Sequence, residues 1–143
     1  MACSFCSLET EKSRTVRHSR LTTVVLSNPR LMIGHALVIP NRHVEHPGEL
    51  TEQELLAIFK DIDDVRSRLL ASIATGVDVR QNYRPFLAQS KTKVEHVHFH
   101  VLPRTLEDDL YERSMKFEAG IFSALGKQET ARMVKLFSDQ TLP

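Results

Sequence analysis

The stretch Lys93–Arg104, KVEHVHFHVLPR, decides how this chain folds and what chemistry it can carry. Histidines stand at alternate positions, His96, His98 and His100, with Val97, Phe99 and Val101 between and after them. A strand has a side-chain period of two, so this pattern predicts a strand with the imidazoles on one face and the apolar side chains on the other. The imidazoles would stand about 6.6 Å apart, from a rise of about 3.3 Å per residue. The apolar face calls for a helix behind it. Pro103 has no N–H for a ladder and is expected to end the strand.

Upstream, Arg14–Ser19 reads as a short strand and Leu21–Leu26 as a β-branched one. Ser27-Asn28-Pro29 is a turn signal. Leu31–Pro40 predicts a further strand, with Gly34 marking a bulge or a close backbone approach. His35, Leu37 and Ile39 then share a face, opposite Ala36 and Val38. Thr51-x-x-Glu54 is a capping box opening a helix expected to run to about Ser72. Its apolar stripe is Leu55, Ile58, Phe59, Ile62, Val65, Leu69 and Ile73, and Gly76 reads as the stop signal. That stripe is read as core. Val77–Leu87 predicts a strand running into a loop. Glu107-Asp108-Asp109 reads as a solvated loop, and a short helix is expected after about Lys127, with Met133, Val134 and Phe137 on one face.

Strands, one long helix and strands again exclude alternating βαβ units. The expectation is an α+β domain with an antiparallel sheet and helices on one face. At 143 residues, with no internal repeat or linker, 1–143 is expected to form one domain. The core would be about 3–104, followed by a C-terminal extension, 105–143. Nineteen basic and 18 acidic residues give no reason to expect nucleic acid or a membrane as partner. No apolar run reaches the roughly 20 residues of a membrane span, and the start MACSFCSLETEKS lacks the features of a secretory signal. A cytoplasmic location is therefore expected, and with it metal or redox chemistry for Cys3 and Cys6 rather than a structural disulfide.

Three alternate histidines backed by an apolar face are hard to assign to packing. Two chemistries remain. His-x-His on a strand can place two nitrogens on one metal ion, although no carboxylate motif accompanies it here. Alternatively, an imidazole can attack phosphorus at neutral pH, one ring nitrogen held by a carbonyl and the other aimed at the substrate. Flanking imidazoles can donate to the phosphoryl oxygens.

His96-Val97-His98-Phe99-His100-Val101-Leu102 resembles the signature of the histidine-triad family, His-φ-His-φ-His-φ-φ with φ apolar. Gly34-His35-Ala36-Leu37-Val38-Ile39-Pro40 resembles its second hallmark, a Gly-His strand ending in Ile-Pro. The resemblance, strongest toward bacterial members similar to diadenosine polyphosphate hydrolases, covers roughly Cys3 to Arg104. It implies a small α+β unit paired into a homodimer. It also implies cleavage at the α-phosphorus of dinucleoside polyphosphates, nucleoside phosphoramidates or similar compounds, without a redox cofactor. By the same match His98 is the nucleophile, forming a nucleotidyl-histidine. His35 and His100 orient it and contact phosphate, and Asn28 lies near ribose or base. Where many members carry a glutamine before the triad this chain has Thr92, with Gln89 a substitute from a nearby turn. Lys91, Lys93, Arg84 and Arg104 flank the triad and, as a set, favour an anionic substrate.

Some histidine-triad proteins bind zinc through Cys-x-x-Cys and two histidines, the first triad histidine among them. That resemblance implies a structural zinc site at Cys3, Cys6, His43 and His96, with His46 as the substitute for His43. A free reduced pair and a thioredoxin-like redox motif are the other readings of the cysteines. The rivals to an enzyme of this kind are a nucleotide-binding or scaffold protein with little turnover and a three-histidine metallohydrolase.

Overall fold

Runs of β-branched and apolar residues build the sheet, and a single amphipathic helix covers one side of it. The computed structural model describes residues 3–90 and 92–139. Lys91, one of the expected flanking cations, lies outside the described residues. Strands β1 (Thr15–His18), β2 (Thr22–Leu26), β3 (Ala36–Pro40), β4 (Gly76–Arg80) and β5 (Phe99–Arg104) form one sheet in the order β1-β2-β3-β5-β4. Every neighbouring pair is antiparallel. The α+β expectation holds.

Helix α1 (Glu52–Leu70) begins at the predicted box: the Glu54 N–H donates to Thr51 Oγ1 at 3.2 Å, and the Thr51 N–H donates to the Glu54 carboxylate at 2.8 Å. Arg42, just beyond β3, donates to the same carboxylate through Nε and Nη2 at 3.0 and 2.9 Å. These bonds hold Glu54 ionised, with its pKa lowered to about 2, and tie the end of β3 to the start of α1. Ile58, Ile62, Val65 and Leu69 are buried against Val24, Ala36, Val38, Val97, Phe99 and Val101. At about 1.5–3 kcal/mol per buried side chain, that stripe decides which helix face meets the sheet. Phe59 and Ile73, expected in the stripe, are at least half exposed because they lie at its margins.

Four expectations need correction. Leu31–Pro40 is strand only from Ala36, because Gly34 takes a φ of +90° and the His35 N–H closes a turn on the Met32 carbonyl. The histidine strand begins at Phe99, because the Val97 N–H leaves the ladder for the Val44 carbonyl at 2.8 Å. Pro103 does not end β5. Its ladder partner is Val77 of β4, whereas β3 pairs only Phe99 to Val101, so the missing donor falls where one flank has no strand. Gly76 opens β4 rather than stopping α1, whose end closes with the Ile73 and Ala74 N–H groups on the Leu69 carbonyl.

Gly34 is a close approach. A Cβ there would lie 2.8 Å from Ile73 Cδ1 and 3.3 Å from Pro103 Cγ, at a φ that L residues rarely adopt. Gly34→Ala should therefore lose about 1–3 kcal/mol of stability, checked by denaturant unfolding. A change below about 0.5 kcal/mol would show that the turn relaxes freely.

The chain divides into two compact units, Met1–Asp108 and Asp109–Pro143. The first contains the sheet, α1 and every site residue named above. The expected loop at Glu107-Asp108-Asp109 is partly wrong, since both oxygens of Asp108 accept from Arg104. The second unit contains a π-type turn at Tyr111–Met115, α2 (Lys116–Glu118), a 3-10 turn at Ala119–Ile121 and the expected short helix, α3 (Lys127–Ser138). Sequence periodicity missed the helical turns between Tyr111 and Ile121. No described helix is long and apolar enough to cross a membrane.

Candidate active site and metal centre

The sheet face away from α1 gathers the candidate site residues. Pairing of Leu37 with His100 places both on this open face, where Val25, Leu37 and Ile39 pack under Leu8 and Phe5. The 3-10 helix Ser4–Thr10 supplies that cover. Phe5 meets the His98 ring edge-on at 5.0 Å between centroids and the His96 ring at 5.9 Å.

Hydrogen bonds assign the ring protons. His98 Nδ1 lies 2.7 Å from the His96 carbonyl, which can only accept, so Nδ1 carries the proton and Nε2 keeps its lone pair. The Leu31 N–H donates to His35 Nδ1 at 3.1 Å. His35 must then be protonated on Nε2, which donates to His100 Nδ1 at 2.9 Å. His100 is left with its proton on Nε2, next to His98, whose ring centroid is 4.8 Å away. One backbone amide thus sets two tautomers in series. With the His98 tautomer set separately by the His96 carbonyl, a lone pair on His98 and an N–H on His100 belong to neighbouring rings.

Burial first, then the neighbouring His98 and Arg80, push His35 down to about 4. Burial first, then His98, His35, Arg80 and Arg84, push His100 down to about 3. Both are therefore neutral donors at neutral pH. The sign for stability follows: unfolded imidazoles bind protons from pH 6.5 downward while the folded ones do not. Stability should fall as pH drops from 6.5 toward 4, and thermal melts across that range check it. Melting that is flat over that window would mean that both rings protonate freely in the folded state.

His96 turns away from the triad. Its Nε2–H donates to the Pro40 carbonyl at 2.8 Å, which leaves Nδ1 unprotonated and facing the two thiols. Cys3 Sγ is 3.4 Å and Cys6 Sγ 3.7 Å from His96 Nδ1, and Cys6 Sγ is 3.4 Å from His43 Nδ1. All four ligand atoms lie within 4.8 Å of one another. A tetrahedral ion with M–S about 2.3 Å and M–N about 2.0–2.1 Å needs ligand separations of roughly 3.4–3.8 Å. Cys3, Cys6, His43 and His96 can therefore hold a metal ion, and among the described residues they are the one such group. His46 is not part of it; it lies against Tyr83. With His96 facing the cysteines, the three triad rings do not converge on one ion.

The other expected residues lie elsewhere. Gln89 donates to Glu95 at 3.1 Å, Thr92 Oγ1 is 3.1 Å from Ser90 Oγ, and Asn28 is exposed in its turn. Sequence reading missed the Leu31 amide, the Pro40 carbonyl, Phe5 and Arg80. Only Arg80 left a signal, the alternation Val77-Asp78-Val79-Arg80.

The HIT domain family model matches residues 8–107. The chain belongs to the HIT family. This HIT protein is 31% identical over 111 residues to an uncharacterised HIT-like protein of Borreliella burgdorferi, spanning 74% of this chain and 78% of that one. It is 25% identical over 99 residues to the asymmetrical bis(5'-nucleosyl)-tetraphosphatase of Schizosaccharomyces pombe, covering 67% of this chain and 52% of that one. A HIT family member from Bacillus subtilis superposes with a TM-score of 0.75 over 100% of this chain and 99% of its own, at 20% identity. A zinc-bound histidine triad family protein from Mycobacterium smegmatis does so with a TM-score of 0.63 over 77% and 80%, at 22% identity. At such identities these two likenesses speak for the fold alone.

Proposed function

We propose that this HIT protein is a nucleotidyl hydrolase or transferase acting at the α-phosphorus of a dinucleoside polyphosphate, a nucleoside phosphoramidate or a similar compound. The observation that carries it is the pair of assigned tautomers, with a lone pair on His98 Nε2 beside an N–H on His100 Nε2. His98 Nε2 attacks phosphorus and the N–P bond forms. The bond from phosphorus to the leaving group breaks, and its electron pair departs with that group. Water then attacks the nucleotidyl-histidine, the N–P bond breaks back to Nε2, and the water proton is lost to solvent. The His100 N–H donates to a phosphoryl oxygen as charge redistributes, and His35 positions His100. Asn28 is the proposed ribose or base contact, and Gln89 and Thr92 remain candidates if their loop closes over substrate.

The family resemblance to an asymmetrical bis(5'-nucleosyl)-tetraphosphatase supports the nucleotide class. Zinc is the proposed metal, since two thiolates and two imidazoles suit it. Its part would be structural, linking the N-terminal segment to the loops before β5 and after β3. A homodimer is proposed through β4, an outer strand of the sheet, and the exposed Leu56 and Phe59 of α1. A cytoplasmic location completes the reading.

The test is to quench a reaction in alkali, where a phosphoramidate bond survives, and to digest it for mass analysis. The peptide bearing His98 should gain one nucleoside monophosphate. Tight nucleotide binding without any such adduct or turnover would favour the scaffold reading instead.

A further inference from the structure

Arg80 has a place that neither the tautomer chain nor the metal cluster uses. In β4 its cross-strand partner is His100, and directly paired residues share a face. Val77 of the same strand packs with the α1 core, so Asp78 and Arg80 alternate onto the open face. The Arg80 side chain is 37% exposed and so reaches both the site and solvent. Asp78 anchors it, with Arg80 Nη2 donating to Oδ2 at 3.1 Å. That oxygen also accepts from Arg104, which itself holds Asp108, so one carboxylate oxygen is divided between two guanidiniums. Arg80 is thereby aimed without being fully neutralised. Its charge opposes protonation of both His35 and His100, and that of Arg84 adds to the effect on His100. Meanwhile Gln89 and Thr92 are engaged with Glu95 and Ser90.

We infer that Arg80 is a specificity-determining contact for an anionic leaving group, binding the phosphate beyond the one that His98 attacks and so favouring polyphosphate substrates over phosphoramidates. This rests on the nucleotidyl-transfer reading. When the P–O bond breaks, negative charge builds on the leaving oxygen of a polyphosphate, and a fixed guanidinium stabilises it. A phosphoramidate leaves as a neutral amine, its nitrogen taking a proton from solvent as the P–N bond breaks, and gives Arg80 nothing to hold.

The experiment measures kcat and KM for a dinucleoside polyphosphate and for adenosine 5'-phosphoramidate in the wild type, Arg80→Ala and Arg80→Lys. Arg80→Ala should lose about 10²-fold in kcat/KM on the polyphosphate, mostly in kcat, and about threefold or less on the phosphoramidate. Arg80→Lys should recover part of the loss, since it keeps the charge but not the fork. Inhibition by inorganic pyrophosphate should weaken in Arg80→Ala while inhibition by AMP does not. This gives a binding readout independent of turnover. Equal losses on both substrates, or none on the polyphosphate, would overturn the inference while leaving the nucleotidyl-transfer reading intact. A wild type that turns over neither substrate would overturn that reading and this inference with it.

Discussion

His98→Asn is expected to lower turnover by about 10³-fold or more while leaving the fold and much of the nucleotide affinity in place. The size follows from what is removed. In the proposed reaction the lone pair on His98 Nε2 forms the bond to phosphorus, and no other ring in the cluster is set to replace it. The His100 Nδ1 lone pair accepts from His35, and the His96 Nδ1 lone pair faces the cysteines. Asparagine can still donate toward the His96 carbonyl as His98 does now. The loss should therefore appear in kcat, with the melting temperature within a few degrees of wild type. The alkali-stable adduct should vanish in the same variant. A variant keeping more than about a tenth of wild-type activity would exclude the covalent route through His98.

Metal loss is expected to have the second largest effect, and on stability first. The cluster joins Cys3 and Cys6 of the N-terminal segment to His43, past the end of β3, and to His96, ahead of β5. Protein prepared with zinc and reductant should carry about one zinc per chain. Chelation, or Cys3→Ser, should lower stability by about 3 kcal/mol or more and the melting temperature by about 10 °C. This is less than the free energy that folds an isolated zinc finger, because the sheet and α1 already bury a core of their own. Activity should decline with it, since the carbonyl of His96 is what fixes His98. Substoichiometric zinc together with an unchanged melting temperature under chelation would mean that the pair is a free dithiol. His46→Ala should leave the metal content untouched, because His46 lies against Tyr83 rather than in the cluster.

Much of this protein was determined by residue order alone. The alternation His96-Val97-His98-Phe99-His100 separates an apolar face from a polar one in any extended chain, because neighbouring side chains point to opposite sides. Thr51 and Glu54 mark the start of α1 for a reason local to four residues. The spacing of Ile58, Ile62, Val65 and Leu69 fixes the buried stripe in the same way. Together with the Gly-His strand, these local rules were enough for the fold class and the family.

What they could not supply was any relation between distant segments. The Leu31 amide, His35 and His100 make a hydrogen-bond chain only because β3 and β5 are neighbours in the sheet. His43 rather than His46 faces the cysteines because of where the chain turns after Pro40. Arg80 stands beside His100 because β4 pairs with β5 in one register; a shift of one residue would send its side chain to the other face. Hydrophobic patterning carries no term for those long-range pairings. They are set when packing chooses one register and one strand order from those that the local pattern allows.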